Sequence, residues 1–133
     1  MDIVAWTQDL SVGHETLDQH HKRLFALLAE MERGSDDSGG FDAVSTSLAE
    51  LTDYIVYHFT EEEAMMERGG FPFLELHRHS HQTIAMRVAD MAASLDGANF
   101  QRVAAELRGF LSGWLIHHIE IEDFEYRPYI GKA

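Results

Sequence analysis

The chain has 133 residues, 45% of them hydrophobic and only 2 of them proline, which suits one all-α domain over residues 1–133 and argues against disorder. Ten Lys and Arg against 23 Asp and Glu give a formal net charge of −13, a balance that keeps a protein soluble and repels nucleic acid and anionic membrane surfaces. With no cysteine, disulfides, thiolate zinc sites, iron–sulfur clusters and Cys-linked haem are excluded.

Met1 to Trp6 carries neither a basic segment nor an apolar run. No signal peptide or membrane insertion is expected, and the expected location is the cytoplasm. An arm with Trp6, Leu10 and Val12 leads to Gly13. A first helix is predicted from near Thr16 or Asp18, either able to act as N-cap, with His21, Leu24, Leu28 and Met31 at steps of three and four. It should stop in the loop composition Gly34 to Gly40. A second helix carries Val44, Leu48, Leu51, Ile55, His58 and Glu62 and ends at Gly69-Gly70, with Pro72 beyond. The third carries His77, His81, Ile84, Val88, Met91 and Leu95 and ends at Asp96-Gly97. The fourth starts near Asn99, runs through Val103, Leu107, Phe110, Leu111, Trp114, Leu115, His118 and Asp123, and closes at Pro128. The predicted fold is an antiparallel up-down four-helix bundle with an N-terminal arm.

Seven polar residues continue these apolar stripes: His21, His58, Glu62, His77, His81, His118 and Asp123. His58/Glu62 and His77/His81 are four apart, so each pair shares a helix face. In an antiparallel bundle the late part of helices two and four and the early part of helices one and three lie at one end. All seven therefore reach the same level. A lone His on an apolar stripe is usually a hydrogen-bonded core residue. Seven together, without metal, would leave many buried polar groups unpaired at roughly 1–3 kcal/mol each. Imidazole and carboxylate without thiolate suit iron, manganese or zinc, and the ligand number suits two metals. If both carboxylates and a solvent oxygen bridge, five His divide as three and two; one metal is then six-coordinate and the other keeps an open position for a small ligand. Oxygen-activating bundles use Glu-x-x-His on two helices; none occurs here, which favours binding oxygen over cleaving it.

Several motifs resemble the bacteriohemerythrins, the prokaryotic branch of the hemerythrin family of oxygen-binding proteins. They are Ser11-Val12-Gly13 with Leu17 to Phe25, His58-Phe59-Thr60-Glu61-Glu62-Glu63 with Met66 and Gly70-Phe71-Pro72, His77-x-x-x-His81, and Trp114 to Ile119 followed by Asp123. The family usually has Gln where His20 stands. The resemblance implies two iron ions with an oxo or hydroxo bridge, His77, His81 and His118 on one, His21 and His58 on the other, and Glu62 and Asp123 bridging. It implies reversible dioxygen binding rather than catalysis, by a carrier, store or delivery protein. Leu115, Ile119 and Phe59 are expected to wall the oxygen pocket, with plain core packing the alternative for Phe59 and Leu115.

Asp123 is five residues from His118, whereas Glu122 is four; ideal helix geometry favours Glu122 as the bridge and the resemblance favours Asp123. His14, His20, His79 and His117 read as surface residues or neighbours of the ligands. Glu61, Glu63, Glu120, Glu122 and Glu125 read as an acidic, solvating rim. A monomer with dioxygen as its ligand is expected. The alternatives are an oxygen or redox sensor acting through a separate protein partner, and an enzyme that processes peroxide or nitric oxide.

Overall fold

The apolar steps of three and four become buried helical faces. The structure, a computed structural model, describes residues 6–36 and 40–131. A 3-10 turn, Gln8–Leu10, precedes α1 (Glu15–Asp36), α2 (Gly40–Arg68), α3 (Leu74–Ala93) and α4 (Phe100–His117). A π-helical turn, His118–Asp123, continues α4 and is followed by the short α5 (Phe124–Tyr126) and a 3-10 turn, Arg127–Tyr129. No strand occurs among the described residues. Helix α1 packs on α2 and α4, and α3 packs on α2 and α4, which makes the predicted four-helix bundle.

Its core is the set of predicted stripes. Leu24, Leu28, Met31, Val44, Leu48, Leu51, Ile55, Ile84, Val88, Leu107, Leu111 and Leu115 are all buried. Each such side chain contributes about 1.5–3 kcal/mol relative to exposure. Met91 and Leu95, at the far end of the third stripe, are only partly buried.

Three boundaries differ from the sequence expectation, one of them the end of α3, which stops at Ala93 and leaves Leu95 beyond it. The first helix is capped by His14, not Thr16 or Asp18. The His14 carbonyl accepts from the Asp18 N–H at 2.9 Å, and its Nδ1 accepts a long 3.4 Å bond from the Leu17 N–H. Asp18 instead reaches back to the arm, accepting from the Ser11 hydroxyl at 2.6 Å and the Val12 N–H at 2.9 Å. Helix α1 also runs past Gly34 to Asp36; the predicted loop beyond, 37–39, lies outside the described residues.

The end of α2 is as punctuated. Gly70, at φ +72°, takes the left-handed conformation that glycine adopts without penalty. The Phe71 N–H then bonds the Met66 carbonyl at 3.0 Å and the Gly70 N–H the Glu67 carbonyl at 3.1 Å, a paired cap that satisfies the helix's last carbonyls. Gly69 has a different reason: a Cβ there would overlap the backbone carbonyl of Tyr129, so the C-terminal turn seats against this corner.

Candidate metal centre

Each of the seven predicted residues is at most 3% exposed, and His21, Glu62 and Asp123 are wholly buried. The bundle brings all seven to one end. Glu62, His77, His81, His118 and Asp123 form one cluster of potential ligand atoms, and His21, His58 and Glu62 form a second.

The carboxylate oxygens divide between the two clusters. Glu62 Oε1 lies 3.3 Å from His77 Nε2 and 3.0 Å from His81 Nε2, while Glu62 Oε2 lies 3.3 Å from His21 Nε2 and 3.5 Å from His58 Nε2. Asp123 Oδ1 lies 2.9 Å from His77 Nε2 and 3.1 Å from His118 Nε2, while its Oδ2 lies 3.2 Å from His21 Nε2. One oxygen of each carboxylate thus faces two of the three imidazoles of His77, His81 and His118, while the other faces His21 and His58 for Glu62 and His21 for Asp123. The π-helical turn brings Asp123 rather than Glu122 against the inner nitrogens of the cluster. Its i→i+5 bonding lets His118 and Asp123 share a face, where an α-helix would favour i+4. Glu122 turns aside and accepts from the outer nitrogen of His118, Nδ1, at 3.1 Å.

The residues fit a metal pair. Glu62 Oε1, both Asp123 oxygens and His77 Nε2 are buried without a hydrogen bond. They lie within 3.3 Å of one another's partners, yet the N–H and lone-pair directions do not match as donor and acceptor. They converge on the space between them, as ligand atoms around cations do, and buried atoms of this kind are costly to leave unsatisfied.

Residues 12–130 match the family described as the hemerythrin HHE cation binding domain. The chain belongs to the hemerythrin family. Among its relatives, the bacteriohemerythrin of Stenotrophomonas maltophilia (strain R551-3) is 32% identical over 126 residues, 95% of this chain and 80% of that one. The myohemerythrin of Riftia pachyptila is 29% identical over 123 residues, 92% of this chain and 90% of the other. The fold matches the crystal structure of wild-type hemerythrin with a TM-score of 0.82 at 23% identity, covering 97% of this chain and 98% of that chain.

Within this hemerythrin centre, outer partners hold the inner ring. His81 Nδ1 meets Glu63 Oε2 at 2.7 Å, and Glu63 is in turn 3.4 Å from Arg78 Nε. Glu122, on His118, also accepts from the Ser80 hydroxyl at 3.2 Å. The Tyr126 hydroxyl donates to Glu62 Oε2 at 2.8 Å. Phe59 stacks on His81 with ring centroids 3.8 Å apart, and Trp114 stacks on His118 at 4.4 Å. His20 is buried, with its Nδ1 3.0 Å from His58 Nδ1. Of the other histidines, His79 and His117 are exposed and His14 caps α1.

Sequence reasoning assigned Glu63 and Glu122 to the solvating rim and missed Tyr126. Their partners lie on other helices or on the turn that departs from α geometry, so spacing alone did not expose them. A polar residue next to a ligand was the available signal.

Without metal the cluster is a charge-balanced network. Burial alone would push His21, His77 and His118 down. The close carboxylates of Asp123 and Glu62 outweigh it, raising the first two to about 9 and His118 to about 10. His58 goes the other way: burial pushes it to about 4. Burial would raise both carboxyls, but the surrounding imidazoles hold Glu62 and Asp123 well below the usual carboxylate range. With His58 neutral at pH 7, the positive charges beside Glu62 are those of His21 and His77.

Below the centre sits an apolar cavity with about 10 Å³ open to the centre of a water-sized molecule. Leu24, Ile55, Ile84 and Leu115 line it. Each stands three residues from a ligand position, His21, His58, His81 and His118 respectively, on the inward side of alternately directed helices. Leu115 and Phe59 belong to this lining; Ile119 is fully buried but lies outside it.

Proposed function

We propose that this chain, as one monomeric cytoplasmic domain over residues 1–133, binds dioxygen reversibly at a non-haem di-iron centre and serves as an oxygen carrier, store or delivery protein. His77, His81 and His118 with the carboxylates of Glu62 and Asp123 would hold one iron. His21 and His58 with the same two carboxylates would hold the other, the one at which dioxygen would bind. The division of the two carboxylates between three imidazoles and two is the observation that carries this reading. Bound iron supplies the electrons and the open coordination position that dioxygen requires.

The chain's own residues set the conditions. Glu63 and Glu122 orient His81 and His118 through their outer nitrogens. Tyr126 holds Glu62 in place. Leu24, Ile55, Phe59, Ile84 and Leu115 keep water from the centre, and their cavity is about the size of one small molecule. No residue lining that cavity is ionisable. A ligand held there has no nearby proton donor among them, which supports carriage over peroxide or nitric oxide chemistry. No helix among the described residues is long and apolar enough to cross a membrane.

The test is reconstitution of metal-free protein with ferrous iron without oxygen. Two irons per chain are expected, with visible bands that appear in air and vanish when oxygen is removed. One iron or none, or bands that persist after oxygen removal, would refute the reading.

A further inference from the structure

The two halves of the centre differ in what stands behind their imidazoles. On the three-His half, His81 is backed by the Glu63 carboxylate at 2.7 Å and His118 by the Glu122 carboxylate at 3.1 Å. On the two-His half, His21 Nδ1 is buried with no hydrogen-bond partner. His58 meets another imidazole, that of His20.

The His20–His58 contact fixes a tautomer. His58 Nε2 faces Glu62 Oε2 at 3.5 Å and is the nitrogen aimed at the centre. As a metal ligand it offers its lone pair there, so its proton resides on Nδ1. At a separation of 3.0 Å the two Nδ1 atoms cannot both carry hydrogen. His20 Nδ1 is therefore the acceptor, and its own proton lies on Nε2. The ring is held in that pose by Tyr54 and Tyr57, at centroid distances of 5.9 and 5.3 Å. A carboxylate behind a ligating His makes the ligand more electron-donating; an uncharged imidazole does so less.

We propose that His20 is a positioning residue that makes the two metal positions unequal. As an uncharged acceptor on His58 it leaves the His21–His58 position the more weakly held, so the His77–His81–His118 position fills first and the other is the exchangeable one. This rests on the two-metal reading above. The metal at the exchangeable position can be replaced by a different divalent cation while the first stays in place.

The test is calorimetric titration of metal-free protein with Co²⁺ under nitrogen, with the cobalt absorption bands recorded at each addition. Two steps of one ion each are expected, the first at least about tenfold tighter. Outer-partner changes typically alter affinity by about 10–100-fold. His20→Glu should tighten the second step by about tenfold and leave the first within about twofold. His20→Ala should weaken the second step alone, and Glu63→Gln the first alone. Should His20→Ala fail to fold, His20→Gln, whose amide oxygen is also an uncharged acceptor, should reproduce the wild-type steps. A second step unmoved by His20→Glu, or a first step moved as much, overturns the role of His20. Fewer than two ions bound in total overturns the two-metal reading itself.

Discussion

Removing the metals should invert the protein's response to pH. In the metal-free fold His21 and His77 titrate at about 9 and His118 at about 10, against about 6.5 for an unfolded chain. A folded value above the unfolded one stabilises fully below pH ~6.5, and that stabilisation is lost as pH rises through 9 to 10. A shift to about 9 is worth about 3 kcal/mol for one histidine. The three share Glu62 and Asp123, so their contributions overlap rather than add. The metal-free midpoint should therefore fall by on the order of 10 °C between pH ~6 and ~9. Metal requires the same imidazoles neutral, so loading displaces their protons and tightens as pH rises. At pH ~7 about three protons should leave per chain on ferrous loading, from His21, His77 and His118. The assay pairs thermal unfolding of stripped and anaerobically loaded protein across this range with indicator-dye measurement of acid release. A metal-free midpoint that is flat or rises toward pH ~9, or release of less than one proton, would refute the charge balance drawn for the cluster.

Asp123→Asn should cost the bridged pair and lower iron content below two per chain, because its oxygens face both clusters. Glu122→Gln should keep both irons and weaken binding by about 10–100-fold; a more severe loss in Glu122→Gln than in Asp123→Asn would reverse the assignment. Tyr126→Phe removes the donor to Glu62 Oε2 and should destabilise the metal-free protein by about 1.5–3 kcal/mol, read from denaturant midpoints; an unchanged midpoint would count against the bond. Leu115→Ala enlarges the apolar cavity, should cost about 2–5 kcal/mol, and should speed irreversible oxidation of the oxygenated protein. A slower loss of the oxygenated spectrum than wild type would show that the leucine does not keep water out.

The bundle and the level at which the seven polar residues meet were legible because both depend on period and direction, which the chain writes plainly. His58 and Glu62 extend the stripe of Leu51 and Ile55, and all four are buried. The burial of His20 was hidden for a physical reason. Helix α1 packs on both α2 and α4, so it buries the line Leu17, His20, Leu24 and Leu27 as well as the line of His21 and Leu28. A single-stripe reading places His20 outside. Asp18 was misread as a cap because its side chain serves the arm instead of the helix start. Glu63 and its partner His81 lie on different helices, and no spacing along one helix reports such a pair.

The π-helical turn has a consequence best expressed as phase. Counted along an ideal helix from His118, Asp123 and Tyr126 would stand about 140° and 80° around the axis. Removing one residue's rotation, about 100°, brings each to within about 40° of His118. Both are buried, and both reach the cluster, Asp123 beside His118 Nε2 and Tyr126 on Glu62 Oε2. One inserted position therefore aims both a carboxylate of the cluster and the hydroxyl that steadies the other carboxylate. The segment 119–122 should accept many substitutions at its exposed positions, Glu120 and Ile121, and even the loss of one residue, which would relax the turn to an α-helix with Asp123 four residues from His118 and on the same face. A further inserted residue is the change it should not accept, because that would turn everything downstream by about 100°, more than a quarter circle.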